Sequence, residues 1–310
     1  MSCKLLLARD HDGRRLDRTL RSIWPALPLS AIMRALRKGE VRLDAFRVRE
    51  PGTRVSAGQE LYVPWEDPEA TPPVRHWGVV PLLWRGENVL LINKPANLLV
   101  QPDVKGGDSV VSRVWGMFNP SGPGFSPTAV HRLDRNTTGA LVVALTGEAL
   151  RDLELLFKER RVRKRYLAVV TGVLPEKGEI EASLFKDEEN NTVYVNDDGK
   201  TAKTRYRCLA SNGDLSLASI ELLTGRTHQA RVHMAHIGHP ILGDRKYGDI
   251  EANRFWRNEV KRPFLHSQEL GFPEGLSGDL SEISGVLFKA ELPDDMNALL
   301  KKLGWQIDNC

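Results

Sequence analysis

The nine residues from His131 to Gly139 read His-Arg-Leu-Asp-Arg-Asn-Thr-Thr-Gly, one acid among three bases. They stand between Thr128-Ala129-Val130 and the apolar run Ala140 to Leu145. Short apolar runs of this kind read as buried strands. The fold must therefore be built on a sheet that carries a charged loop between two of its interior strands. A carboxylate in such a loop needs a physical reason. The simplest is a surface turn in which Asp134 pairs with Arg132 or Arg135, because loop charges are usually solvated. The rest of the chain argues for more.

The 310 residues are enough for two domains, and 41% hydrophobic with 27% charged residues is ordinary for a globular protein. No apolar run approaches the length that spans a bilayer, and Leu5-Leu6-Leu7-Ala8 is too short for a signal peptide core. Cys3, Cys208 and Cys310 show no paired spacing, which argues against a zinc ribbon or a disulfide framework and suits a reducing cytoplasm. The net charge of +4 is unevenly placed. Residues 1 to 65 hold thirteen Lys/Arg against seven Asp/Glu, so the basic excess lies wholly in this segment. Such a bias suits a module that binds a polyanion.

Residues 15 to 23 carry a short helical pattern that Trp24-Pro25 ends. Ser30 is the expected N-cap of a second helix, with Ile32, Met33 and Leu36 on one face and Lys38-Gly39 as its stop. Val41, Leu43 and Leu61-Tyr62-Val63 read as strands. Pro64 to Pro73 holds four prolines and three acids, a semi-rigid linker expected to span residues 64 to 78. Beyond residue 79, β-rich runs alternate with turns, and helices are expected at 148–160, 227–236 and 294–303. That mixture indicates an α+β domain around a largely antiparallel sheet. Residues 119 to 127, rich in Gly and Pro, read as a mobile loop. Between Lys158 and Arg165 six of eight residues are basic, the pattern of a phosphate-tracking face. Tyr166 follows it at the start of an apolar strand.

The stretch from His131 to Gly139 closely resembles the catalytic loop of the RluA-type RNA pseudouridine synthases. Four more segments fit that family in order: Val89 to Pro95 with Val100-Gln101-Pro102, Arg163 to Gly172, Leu223 to His233 running on to Asp244, and Leu265-His266 before Phe288 to Pro293. The resemblance covers roughly residues 80 to 303. It implies a mixed sheet with a central RNA-binding cleft. Residues 14 to 63 resemble the S4-type RNA-binding domain often fused ahead of such synthases, through Arg15-Leu16-Asp17, Ser30, Gly39-Glu40-Val41 and Gly58. The expected organisation is an S4-type α/β module over 1–63, the linker, and a catalytic domain over 79–310. Asp44-Ala45 stands where an Asn-Gly turn is usual. Alanine resists the positive φ of a type I′ turn, so the hairpin is expected to be built differently.

Making pseudouridine breaks the C1′–N1 bond of uridine, turns the base and rejoins it through C5. The change is redox-neutral, and no cofactor is implied. It requires an unstacked base, an ionised carboxylate beside the sugar, and proton handling at C5. By resemblance Asp134 is the carboxylate, Arg226 its pairing cation, and Tyr166 the ring that stacks on the uracil with its hydroxyl near C5. Arg132 fills the space the flipped base leaves, and His131 supports the loop. Asn136 and Thr138 replace a more usual aspartate and serine but keep hydrogen-bonding capacity. Arg135, Lys164, Arg165, Thr227, His228, Gln229 and Arg231 are expected to contact RNA. In the N-terminal module Arg15, Arg34, Arg37 and Lys38 share that expectation. His228, His233, His236 and His239 lack the spacing of known zinc sites, and no metal is expected. The expected activity is isomerisation of uridines in structured RNA, foremost large-subunit ribosomal RNA, by a cytoplasmic monomer. Transfer RNA is the alternative substrate. An inactive RNA-binding assembly factor and a glycoside-cleaving enzyme are the competing classes, the latter normally wanting two carboxylates across the sugar.

Overall fold

A computed structural model describes residues 3–8, 11–24, 27–66, 77–102, 107–118 and 125–306. Most of the expected linker (67–76) and most of the expected mobile loop (119–124) lie outside the described residues.

Strand β1 (Cys3–Leu6), helices α1 (Leu16–Ile23) and α2 (Leu29–Lys38), and strands β2 (Arg42–Leu43), β3 (Phe46–Arg47) and β4 (Glu60–Val63) form the N-terminal unit. Its antiparallel sheet has the order β1-β4-β2-β3. Leu16, Leu20, Ile32, Leu36 and Leu61 make its core, all fully buried. The apolar positions of both helices repeat at three to four residues and turn one face onto this small sheet.

Two expectations for this unit are corrected. Helix α2 starts at Leu29 rather than after Ser30, because the Pro28 carbonyl already accepts the first helical bond from Ala31 N, at 2.9 Å. Asp44-Ala45 does form the two-residue turn, at φ 49° and 69°. The turn is held from outside. Asp44 exchanges backbone and carboxylate bonds with Glu60, its N–H donating to Glu60 O and its Oδ1 accepting from Glu60 N, both at 2.8 Å. Its Oδ2 accepts from Gln59 Nε2 at 3.0 Å. Those bonds offset the left-handed strain of an alanine, of order 1 kcal/mol. Gly39 caps α2 in the left-handed conformation, as its position after Lys38 predicts.

The larger sheet begins with β5 (Leu82–Arg85) and β6 (Val89–Lys94), followed by α3 (Val110–Phe118), β7 (Thr128–Ala129), β8 (Thr138–Ala144) and α4 (Gly147–Lys158). Next come β9 (Arg163–Thr171), β10 (Lys177–Asp187), β11 (Thr192–Val195), β12 (Lys200–Ser211), β13 (Leu215–Leu222), α5 (Gln229–His236) and α6 (Ile250–Phe255). Strands β14 (Leu265–Gly271) and β15 (Leu287–Lys289) and helix α7 (Asp294–Lys302) complete it. The order is β11-β10-β12-β13-β9-β14-β8-β6-β5, with β15 on β14 and β7 on β8. All neighbours are antiparallel except β14 and β8, so the sheet is mixed and largely antiparallel as expected. Every residue of β8 is buried. A strand covered on both faces reads as a continuous apolar run, which is how Ala140 to Leu145 reads.

The three helices expected in this domain are present. Thr146 caps α4 through Oγ1, which accepts from Ala149 N at 3.1 Å. Helix α5 starts two residues later than expected, at Gln229, because His228 sits at φ 54° and breaks the helical path. Helix α3 was not foreseen: its Val-Val-Ser-Arg-Val-Trp run mimics a strand. Among the described residues no helix is long and apolar enough to cross a membrane.

Candidate active site

The loop between β7 and β8 is fixed from three sides. Leu133 is buried in the core beneath it, so its neighbours Arg132 and Asp134 face outward. Thr137 N donates to Asp134 O at 3.1 Å and closes the turn. His131 Nε2 accepts from Val142 N at 3.2 Å, and its ring stacks on Phe157, centroids 4.8 Å apart. Burial, with the Lys164 charge adding to it, pushes this imidazole down to about 3, so it is neutral and structural. From below, the ammonium of Lys94, a fully buried residue, donates to Pro95 O (2.9 Å), Leu98 O (2.7 Å) and Arg135 O (3.0 Å). Burial lowers it to about 7 against the opposing pull of the Asp134 carboxylate. Lys94 thus ties the end of β6 to the backbone of the Asp134 loop.

Asp134 faces Arg231 of α5. Its Oδ2 accepts from Arg231 Nη1 at 2.9 Å. The same guanidinium holds the buried Asp244 through two further bonds, Nε to Oδ2 at 2.7 Å and Nη2 to Oδ1 at 2.9 Å. Burial works to raise the Asp244 carboxyl, but Arg231 and the N–H groups of Lys246 and Tyr247 outweigh it and hold it below its ordinary range. Burial likewise opposes the Arg231 charge, and the two carboxylates override it. The fork is bidentate toward Asp244 and keeps one N–H for Asp134, a geometry only arginine supplies. His228 stands on the other side, Nε2 3.9 Å from Asp134 Oδ1. Tyr247 Oη accepts from Val193 N at 2.9 Å and is hydrogen-bonded to His228 Nδ1 at 2.8 Å. Burial pulls the His228 pKa down and the Asp134 charge opposes that pull.

Tyr166, in β9, lies beside Asp134 on a cleft of about 570 Å³. Burial pushes its phenol up to about 12, so the hydroxyl is neutral and available as a hydrogen-bond donor. Arg132, Lys158, Arg160, Lys164, Arg226 and Arg231 also line this cleft, and Asp134 is its single carboxylate among the described residues. That leaves no second acid for glycoside cleavage. Lys164 and Tyr166 share one face of β9, two residues apart.

Several expected contacts fall elsewhere. Arg226 does not pair with Asp134: its Nε donates to Thr201 O at 3.2 Å, and Arg231, one turn into α5, takes the expected pairing. Arg165 points through the opposite face of β9 and meets the buried Glu269 at 3.2 Å, as the period of two requires. Gln229 is buried and fully engaged, donating to Lys203 O and Thr204 Oγ1 and accepting from Thr224 Oγ1 and Arg226 N. Thr227 lines the cleft. Arg135 is exposed and contributes its carbonyl to Lys94. In the N-terminal unit Arg34, Arg37 and Lys38 form an exposed stripe on α2, whereas Arg15 is held bidentately by Asp17 at 3.1 and 2.9 Å. His233 bonds Thr204 Oγ1 (2.9 Å) and Ala182 O (3.2 Å), and His239 bonds Thr171 O (2.9 Å). Among the described residues no three His, Cys, Asp or Glu side chains gather as a metal site.

Sequence reasoning missed the roles of Lys94 and Asp244. A lysine closing the apolar run Val89 to Ile92 was the available signal for Lys94.

A family model described as RNA pseudouridylate synthase matches residues 88–236, the interval that holds Asp134, Tyr166 and Arg231. The chain is 33% identical over 293 residues to ribosomal large subunit pseudouridine synthase C of Vibrio cholerae, covering 90% of this chain and 91% of that relative. It is 35% identical over 299 residues to an uncharacterised RNA pseudouridine synthase of Chloroflexus aurantiacus, covering 94% and 90%. In structure, human RNA Pseudouridylate Synthase Domain Containing 4 shares the fold with a TM-score of 0.60 at 22% identity, over 74% of this chain and 95% of that one. With sequence likeness running through nine-tenths of its length, the chain belongs to the RNA pseudouridylate synthase family, enzymes that isomerise uridine to pseudouridine.

Proposed function

We propose that this synthase acts on one or a few uridines of structured large-subunit ribosomal RNA, as a monomer in the cytoplasm, with Asp134 as its reactive carboxylate. The observation that carries the assignment of Asp134 is its isolation: it is the one carboxylate among the described residues of a cation-lined cleft, held at 2.9 Å by Arg231 and adjoining a buried neutral phenol. The relatives named for the ribosomal large subunit support the choice of RNA.

In this reading the target base leaves its stack and enters the cleft, Arg132 fills the vacancy, and Tyr166 packs on the uracil. Asp134 acts at the ribose, either on C1′ or on a sugar proton. The C1′–N1 bond breaks and the C1′–C5 bond forms. The C5 proton leaves and N1 gains one, so atoms and charge balance without an external reductant. Arg231 holds and aims Asp134. Lys158, Arg160 and Lys164 follow the phosphates. Residues 1–63 form an S4-type module that docks RNA through Arg34, Arg37 and Lys38, joined by the linker at 64–78 to the catalytic domain.

The test is release of tritium from transcripts carrying tritium at uridine C5, comparing large-subunit ribosomal RNA fragments with transfer RNAs. Release confined to the ribosomal fragments is expected. Release from transfer RNA alone would overturn the substrate, and none from any RNA would leave an RNA-binding factor.

A further inference from the structure

Two residues of the cleft wall flank the Asp134 carboxylate, one at each oxygen. Arg231 Nη1 donates to Oδ2 at 2.9 Å, and His228 Nε2 stands 3.9 Å from Oδ1. Behind both lies the half-buried ring of Tyr247. The Arg231 guanidinium sits over its face, Cζ 5.0 Å from the ring centre. The His228 imidazole meets it at 64°, centroids 5.6 Å apart. The hydroxyl is engaged as well: Oη is hydrogen-bonded to His228 Nδ1 at 2.8 Å and accepts from Val193 N of the edge strand β11 at 2.9 Å.

The seat of this tyrosine is built around Asp244. The N–H groups of Tyr247 and Lys246 donate to Asp244 Oδ1 at 3.2 and 2.9 Å, so the carboxylate that clamps Arg231 also closes the turn that carries Tyr247. Gly248 N bonds Asp244 O at 2.9 Å, and a Cβ on Gly248 would lie 2.1 Å from that same oxygen, so the chain folds back on itself directly after Tyr247. The ring packs on the cluster of Leu184, Val193, Ala202 and Val232. His228 needs a fixed partner of this kind. Its φ of 54° is left-handed, a conformation that a residue other than glycine keeps only where its surroundings hold it.

We propose that Tyr247 is a positioning residue for the reaction: its hydroxyl fixes the His228 ring beside Asp134 Oδ1, and its face steadies the Arg231 guanidinium that grips Oδ2. A phenol combines the two tasks, one polar end and one flat electron-rich face. With both flanking residues held, the carboxylate keeps one orientation toward the ribose. The inference rests on the role given to Asp134 above, and its test separates the two.

The experiment compares Tyr247→Phe, His228→Ala and the pair in single-turnover tritium release, beside RNA affinity and thermal unfolding. Tyr247→Phe should slow release by about tenfold, the value of one buried hydrogen bond, with RNA affinity unchanged. In the His228→Ala background it should cost nothing further. The same factor in both backgrounds, the mark of a tyrosine that only stabilises the fold, would overturn the proposal, as would a native rate for either single variant. A native rate for Asp134→Asn would instead remove the reading of Asp134 itself. The ring is tested without changing its shape, by phenylalanines of increasing fluorine content at position 247, whose faces lose their attraction for a guanidinium. Release should slow stepwise below Tyr247→Phe, by about fivefold across the series, and a flat series would overturn the part played through Arg231. A last readout needs no activity. In NMR spectra of protein with isotope-labelled histidine, Tyr247→Phe should move the ring nitrogens of His228, identified by their loss in His228→Ala. Unmoved His228 signals would overturn the proposal.

Discussion

Replacing Arg231 by lysine keeps one positive charge and removes the fork. In the native site three charge-assisted bonds leave this guanidinium, two to Asp244 and one to Asp134. An ammonium on a flexible stem cannot match all three, and the buried Asp244 will hold it. Asp134 then exchanges a fixed partner for water. One lost charge-assisted bond is about 1.5 to 3 kcal/mol, which in a transition state is roughly 10- to 150-fold in rate. Stability should fall less, by about 1 to 2 kcal/mol, because Asp244 retains a cation. Arg231→Ala should cost more, about 3 to 5 kcal/mol, since it strands a buried carboxylate. The contrast is Arg226→Lys, whose single bond goes to the Thr201 carbonyl and whose rate should stay within about twofold of native. Single-turnover tritium release measures the rates and urea unfolding the stabilities. An Arg231→Lys enzyme at native rate, or an Arg226→Lys enzyme slowed as far, would refute the assignment of Arg231.

Asp134→Asn should abolish tritium release while RNA affinity stays within about tenfold, because phosphate contacts supply most of the binding; filter binding beside the rate assay checks both. Lys94→Met leaves three carbonyls under the loop without their donor, so it should lower stability by about 2 to 4 kcal/mol in urea unfolding. For Asp244 the folded pKa lies below the ordinary 3.8. Its contribution is therefore complete above the unfolded value and lost as pH falls through the folded one. Asp244→Asn should flatten the acid limb of the stability curve below about pH 4, and an unchanged limb in urea titrations would count against the pairing.

Strand interiors were legible because burial on both faces leaves an apolar run, as in Val89 to Ile92 and Ala140 to Leu145. Asp134 was legible as the charge between such runs. The same rule of alternation that puts Lys164 and Tyr166 on the cleft turns Arg165 to the opposite face, toward Glu269. Choosing Arg226 over Arg231 failed for a different reason. Which arginine faces Asp134 depends on where α5 begins, and that is set by His228 in a left-handed conformation that nothing local announces. The Asp44-Ala45 turn is stabilised by Gln59 and Glu60, fifteen or more residues away, so local propensity could not foresee it. Helix α3 did carry a signal. Ser109 and Ser112 bond each other's backbone N–H, Ser112 Oγ accepting from Ser109 N at 2.8 Å and Ser109 Oγ from Ser112 N at 3.0 Å, a reciprocal N-terminal cap.

The single parallel contact in the large sheet has a consequence for the order of assembly. Strand β14 is synthesised roughly a hundred residues after β9, yet it sits between β9 and β8. Until it emerges from the ribosome, no strand pairs with both β8 and β9, and Thr138 lacks His266. A nascent chain ending before residue 265 can complete β6 and β8 as a pair and β9 to β13 as a separate antiparallel run. Joining them requires insertion between two formed edges, a long-range closure of the kind that folds slowly. The strand that closes the seam between the Asp134 and Tyr166 halves of the sheet thus comes late in the sequence, after every other strand of the seam has been made.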